Sequence, residues 1–328
     1  MSNLAASPCA FETRTHALPV FEAENSRRHV PVSMWRLHLQ ALVGAVRHAR
    51  HVHPANGFVQ FAGWPRSGHS LVGALIDAHP QAAIAHELDS MGLFHKGIPA
   101  ARLPALCLWN ARRFTSAGRW WNGFRYAVPD ATHGPTAPLA VIGDKKGDWA
   151  TRWFLEAPEL LDRLARESAL KPRWILVTRH PADNVATMSL RRGKAYDRLR
   201  IARGGDFEAA LRTAQENGEI AAVADDGMIS DYARLADGVA RMKARVPRED
   251  WIEIVYERLG ADTEGELRRI ESFLGLRHDP TWSAAAARLV RPSRRRSRDL
   301  VAWSPAQRTA LRDIIREHDF LDAYAEDT

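Results

Sequence analysis

Cysteine is nearly absent: Cys9 and Cys107 are the only two in 328 residues. Two thiols so placed form neither a metal-ligand spacing nor a disulfide framework, which fits a reducing compartment. Long apolar runs are also missing. No stretch approaches the roughly 18 residues of a membrane span. The opening "MSNLAASPCAFETRTHALPVFEAENSRRH" has no apolar core of the secretion-signal kind, so a cytoplasmic location is the expectation. No internal repeat is visible. Acidic residues fall short of basic ones, 39 against 46, for a formal net charge of +7. The excess favours anionic partners, from nucleotides and acidic sugars to nucleic acid and lipid headgroups, without choosing among them.

What is present is ordinary globular composition, 45% hydrophobic and 26% charged, in a chain long enough for one large domain. Residues 1–32 mix Pro, Ser and charges without a period and read as a loose arm, leaving 33–328 as a single domain. Ser33 is a plausible N-cap for a helix carrying Trp35, Leu39, Leu42 and Val46 at helical spacing. Beyond it, apolar runs alternate with helical stretches. "FVQFA" (58–62), "AAIA" (82–85), "LAVIG" (139–143), "RWILVT" (173–178) and "WIEIVY" (251–256) read as strands. Helices are expected over 70–78, through the stretch between the third and fourth of those strands, and near 181–193, 206–223, 230–244, 262–274 and 305–320. Residues 90–137, rich in Trp, Pro and Gly, read as irregular. The alternation predicts an α/β fold: three layers, with a mostly parallel central sheet covered on both faces. Ligands in such sheets bind at the carboxyl ends of the strands.

One such end carries "GWPRSGHS", residues 63–70. A strand, a turn holding Gly63 and Gly68, and then a helix make an anion site. The glycines admit close backbone approach, and the helix start offers free N–H groups and a favourable dipole. Ser67 and Ser70 can add hydroxyls, and Arg66 a charged fork. A nucleotide-hydrolysing loop would carry a lysine before its final hydroxyl residue, to reach the β- and γ-phosphates. Here that place is held by His69, which is shorter and mostly neutral at pH 7. A triphosphate would be poorly neutralised, and a phosphate bearing one further anion would suit the loop better.

"GWPRSGHSLVGALIDAHP" resembles the 5′-phosphosulfate loop of sulfotransferases that use 3′-phosphoadenosine 5′-phosphosulfate, with bacterial and tyrosylprotein members most similar in style. Arg66, Ser67, Gly68 and Ser70 match that pattern, and His69 departs from its usual Thr or Ser. "WILVTRHPADNVAT" resembles the same family's 3′-phosphate motif: a strand, Arg179 at its end, and a hydroxyl residue, Thr187, eight positions on, with Ser189 a nearby competitor. "WIEIVYERLGADTEGELRRIESFLGL" resembles a later segment, in which Tyr256 would line either the adenine or the core. "RPSRRRSRD" offers Arg291, Arg294, Arg295, Arg296 and Arg298 as candidates for the 3′-phosphate, without a diagnostic spacing. The resemblance runs from about residue 57 to 305 and implies a P-loop-like nucleotide-binding core.

It also implies a chemistry: in-line attack of an acceptor hydroxyl or amine on sulfur, aided by positioning, charge stabilisation and a base. Phosphosulfate would be the donor and 3′,5′-bisphosphoadenosine the product. A sulfonate carries a single charge and no carboxylate cluster near the loop has metal spacing, so basic side chains are expected to act without a metal. Glu87, 21 positions after Arg66, stands where the tyrosylprotein-type enzymes carry their catalytic glutamate, and His86 is the rival base. Lys145, in register with a family lysine, and its neighbour Lys146 follow the third strand. Lys145 would stabilise the oxygen bridging phosphorus and sulfur. Trp109, Trp120, Trp121 and Tyr126 would either stack on an acceptor or pack a lid. The expected acceptor is a small molecule, glycan, lipid or peptide; nucleic acid is not expected, and the oligomeric state stays open. Two other readings account for parts of the sequence. A P-loop kinase would need the missing lysine. A basic polyanion-binding protein would explain the charge, but not why Arg66 and Arg179 each close a separate strand.

Overall fold

The computed structural model describes residues 57–122, 124–167, 172–195, 213, 214, 216–219, 222–290 and 296–327, with the isolated positions 39 and 43. The expected N-terminal arm lies outside these residues. The helices expected from Ser33 and over 206–223 lie largely outside them.

In chain order the elements are β1 (Gly57–Ala62), α1 (His69–Asp77), β2 (Ala82–Ala85), α2 (Ser90–His95) and α3 (Leu103–Ser116). Then come β3 (Trp120–Trp121), β4 (Phe124–Arg125), β5 (Val141–Asp144), α4 (Gly147–Glu156), α5 (Leu160–Glu167), β6 (Pro172–Thr178) and α6 (Pro181–Arg192). The chain continues through α7 (Asp226–Lys243), β7 (Trp251–Val255), α8 (Tyr256–Ala261), α9 (Thr263–Leu274), α10 (Pro280–Leu289) and α11 (Pro305–Glu317).

Five strands form the central sheet in the order β2-β5-β1-β6-β7, and every pairing in it is parallel. Both faces are buried, which is why the strands read as near-continuous apolar runs. Side chains nevertheless alternate between faces with period two. Phe58, Ala62, Ile142 and Trp174 enter one core, with side chains of α2, α3, α4 and α5. Val59, Phe61, Val141, Ile175 and Val177 enter the other, with α1, α9 and α10. A further cluster, built on Trp64 and Leu176, is covered by α6, α7 and α11. The fold is therefore α/β in three layers, as the alternation predicts.

Three local readings need correction. Residues 90–137 are not irregular throughout: α3 occupies fourteen of them. Its buried Leu103, Leu106, Cys107, Ala111 and Phe114 follow helical spacing, masked in the sequence by the Pro and Gly around it. The helical stretch before β6 is two helices, α4 and α5, because Pro158 lies between them and cannot continue a helix. Helix α10 was not expected, although Asp279 accepts a hydrogen bond from Trp282 N–H as its N-cap and Pro280 opens it.

β1 and β6 are adjacent. The chain leaves β1 through α1 toward β2, on one side and one face. It leaves β6 through α6 toward β7, on the other side and the other face. The two exits diverge, and a crevice opens between them at the carboxyl ends, as at the switch point of other open sheets. Among the described residues no helix is long and apolar enough to cross a membrane.

Candidate functional site

The loop after β1 is anchored at its start. Trp64 is fully buried, stacks on Tyr232 with ring centroids 4.7 Å apart, and donates its indole N–H to the Tyr232 carbonyl at 2.9 Å. Gly63 N–H donates to Thr151 Oγ1 on α4. Arg66 (φ 69°) and Gly68 (φ 111°) then turn the chain through left-handed conformations. A side chain on Gly68 would also strike Tyr256: a Cβ would lie 2.5 Å from its ring. The Gly68 carbonyl accepts from Leu71 and Val72 N–H, so α1 starts here without a side-chain cap. Its first N–H groups have no intrahelical partner, as at any helix start. Ser67 folds its hydroxyl back onto the Trp64 carbonyl at 3.1 Å, so in this state it serves the loop. Arg66 Nε is buried without a hydrogen-bond partner among the described residues.

His69 does not face the loop opening. Its Nε2 lies 3.1 Å from the Ala62 carbonyl, so it carries the proton and donates. The ring meets Phe61 edge-on and stands over Gly147, where a Cβ would be 2.9 Å from Nδ1 and closer still to Cε1. Burial, with the nearby Lys145 charge, lowers its pKa to about 3. The histidine in the lysine's place is thus a neutral wedge between β1 and the start of α4.

A buried cation reaches the loop from another strand end. Lys145 follows β5, is nearly fully buried, and donates to Ser70 Oγ at 2.8 Å. It also donates to one oxygen of Glu87, while Lys146 donates to the other. Burial would raise the Glu87 carboxyl, but these two ammoniums hold it well below the carboxylate range. Burial pushes Lys145 down despite Glu87. Lys146, where Glu87 and Asp148 outweigh burial, is pushed up. Glu87 sits at φ 59° in a tight turn held from below. Asp144 accepts from Leu88 N–H at 3.3 Å and Ser90 N–H at 2.8 Å, and burial raises its carboxyl to about 6. Asp89 caps α2 and accepts from the Trp153 indole, a structural part. His86, the rival base, stacks on Phe114 at 3.9 Å and meets Trp121 edge-on. Burial holds it neutral, and its Nε2 has no partner among the described residues.

The second strand end gathers around Arg179. Its Nη1 donates to Thr187 Oγ1 at 3.2 Å and lies 3.5 Å from the Arg66 carbonyl, while Nη2 donates to Ser297 Oγ at 3.2 Å. The guanidinium lies 5.6 Å from the Tyr256 ring centre. Thr187 turns toward Arg179, whereas Ser189 accepts from Asp225 N–H. Asn184 donates to the Pro65 carbonyl and ties α6 to the first loop. Ser297 was missed in the sequence, where it is one hydroxyl inside a run of arginines. Of that run, Arg298 N–H bonds Asp183, and Arg291, Arg294 and Arg295 lie outside the described residues.

The β3–β4 hairpin closes the remaining side. Trp121 lies 5.8 Å from Lys145 Nζ, and Tyr126 shares a hydrogen bond with the Ser70 side chain. Arg119 holds the hairpin down. It bonds buried Asp77 of α1 at 2.5 Å and the Tyr126 carbonyl at 2.5 Å. Breaking such a buried pair costs about 3–5 kcal/mol. Trp109 is not brought to the site and carries Arg113 on its ring; Trp120 lies on the hairpin, opposite Arg125.

The crevice thus offers two cationic seats on adjacent strand ends, bridged by Tyr256 and the Arg66 backbone, with a carboxylate held by two lysines beside the first. No family model and no curated protein matches the chain. Among solved structures it is similar to sulfotransferase STF9 from Mycobacterium avium, at 16% identity, TM-score 0.44, covering 88% of this chain and 82% of that one. It is also similar to mouse sulfotransferase SULT7A1 complexed with PAP, at 14% identity, TM-score 0.40, covering 88% and 94%. A sulfotransferase from Alicyclobacillus acidocaldarius shows 19% identity, TM-score 0.39, covering 83% and 96%.

If His69 is a wedge against Gly147, Gly147→Ala will lower stability by about 1–3 kcal/mol in denaturant unfolding. In a His69→Ala background the same change will cost less than about 1 kcal/mol. Equal costs in both backgrounds would show that the two residues do not bear on each other.

Proposed function

We propose that the protein is a sulfotransferase: it moves the sulfuryl group of 3′-phosphoadenosine 5′-phosphosulfate to a hydroxyl or amine acceptor and releases 3′,5′-bisphosphoadenosine. The observation that carries the reading is the Arg179 cluster, with Thr187, Ser297 and the Arg66 carbonyl, beside a loop whose lysine place holds neutral His69. Two separate seats suit a nucleotide with two separate phosphates. A triphosphate chain would need its cation within the first loop.

In this reading the 5′-phosphosulfate lies on the N–H groups at the start of α1, with Ser70 and Arg66 beside it. The 3′-phosphate takes the Arg179 fork with Thr187 and Ser297. Tyr256, between the seats, borders the nucleoside. The acceptor oxygen attacks sulfur in line as the bond to the 5′-phosphate breaks. Lys145, already on Ser70, stabilises the charge that develops on the bridging oxygen. Glu87 takes the acceptor proton. His86 is the second candidate base, but its ring is held between Phe114 and Trp121. Charge is managed by side chains, without a metal. The acceptor, a small molecule, glycan, lipid or peptide, would approach along the hairpin that carries Trp121 and Tyr126. A cytoplasmic setting suits this donor.

Calorimetric titration tests the reading. The protein will bind 3′,5′-bisphosphoadenosine without Mg²⁺ and bind ATP much more weakly. Arg179→Ala will weaken the bisphosphate far more than adenosine 5′-phosphate; equal losses would remove Arg179 from the 3′-phosphate seat, and a preference for ATP would remove the reading itself. With an active acceptor found by labelled-sulfate screening, Glu87→Gln will keep nucleotide affinity and lose roughly 10²–10⁴-fold in turnover. Unchanged turnover would move the base to His86.

A further inference from the structure

Glu87 as found is a poor base. Each of its oxygens is taken by a separate ammonium, Lys145 on one and Lys146 on the other. Lys145 is shared: its Nζ also donates to Ser70 Oγ, 2.8 Å away, in the first turn of α1. That turn is the anion seat. One buried cation therefore stands a hydrogen bond from the carboxylate and a hydrogen bond from a group at the donor site. Lys146 has no such bond to the loop among the described residues: it stands at the N-cap position of α4 without a side-chain cap bond and has Asp148 and Asp89 as its other acidic neighbours.

We propose that Glu87 is locked by its two lysines in the donor-free protein and becomes competent as a base only when bound donor draws Lys145 away, with Lys146 the positioning residue that keeps the carboxylate in place. The proposal rests on the sulfotransferase reading of the same site. An anion on the α1 seat competes for Lys145, and the ammonium has only to weaken one bond to strengthen the other. Glu87 then loses one of the two cations that depress its basicity, while its Lys146 bond keeps it aimed. The acceptor O–H proton passes to the freed Glu87 oxygen. The acceptor oxygen bonds to sulfur, and the sulfur–oxygen bond to the 5′-phosphate breaks with its electron pair left on that phosphate, now facing Lys145. Donor must precede productive deprotonation of the acceptor. The other titratable groups facing Glu87 are His86 beside it, His69 on α1, Tyr126 on the hairpin segment and Asp144 below. Both histidines are held neutral, so in the neutral range the two lysines dominate the field at the carboxylate.

Carbon-13 NMR of carboxyl-labelled protein tests this directly, with the Glu87 signal assigned by its loss in Glu87→Gln. In the free protein Glu87 will stay ionised to the acid limit of the folded state. With 3′-phosphoadenosine 5′-phosphosulfate and no acceptor it will titrate inside the folded range, at least about one unit above that limit, a tenfold or greater change in proton affinity. Lys146→Met will raise the donor-free midpoint, and Lys146→Arg will restore it. Lys145→Met will lose at least half of the donor-induced shift. If calorimetry on the same sample shows donor bound while the Glu87 midpoint stays put, the handover is overturned and the sulfotransferase reading survives. If the donor does not bind, both fall. A full donor-induced shift in Lys145→Met would also overturn the handover.

Discussion

Two adjacent strands, β1 and β6, send their chains to opposite faces of the sheet, and the backbone cannot fill the space between the exits. Something must hold the crevice's walls in register. Arg179 does so from the β6 side, reaching the Arg66 carbonyl, Thr187 and Ser297. Asn184 does so by bonding the Pro65 carbonyl. From the β1 side, Trp64 is sunk into the cluster under α6 and α7. The loop is thereby tied to the very helix from which it diverges. In the proposed reading, an anion site on one strand end becomes half of a two-anion site.

The electrostatics follow from where charge can be buried. A lysine inside the loop would sit beside the phosphates it serves. Here that volume is filled by neutral His69, which bonds Ala62 and rests on Gly147. The cation is displaced one strand over, to Lys145, whose burial is made tolerable by Glu87 and Ser70. Charge compensation around Lys145 therefore uses the same carboxylate that we propose as the base. The proposed lock is the physical consequence of burying a lysine against a carboxylate.

Strands β1 and β6 were legible because strands buried on both faces leave apolar runs, and the edge strand β7 because its buried Ile252 and Ile254 alternate with half-buried Trp251, Glu253 and Val255. The strand, glycine turn and helix of residues 57–77 were legible because glycine spacing, a preceding strand and a following helix are all local. Arg179 and Thr187 could be paired from the sequence because one helix links them. What escaped was non-local. Nothing near His69 announces Gly147, and Asp77 and Arg119 meet across 42 positions of chain to brace the hairpin. Ser297 reaches Arg179 from 118 positions away. Helix α3 was hidden for a different reason: its helical spacing is real, but the flanking Pro and Gly read as loop. Glu87 was singled out by its position in the sequence, while its grip by two lysines needed the end of β5 laid beside the turn after β2.

The central claim is that one nucleotide spans two seats, and a crystal structure with 3′,5′-bisphosphoadenosine bears on it most directly. The account predicts the 5′-phosphate at about 3 Å from the His69 and Ser70 backbone N–H groups, and the 3′-phosphate on Arg179 with Ser297. A nucleotide bound elsewhere, or one phosphate on the α1 seat with the other in solvent away from Arg179, would contradict it.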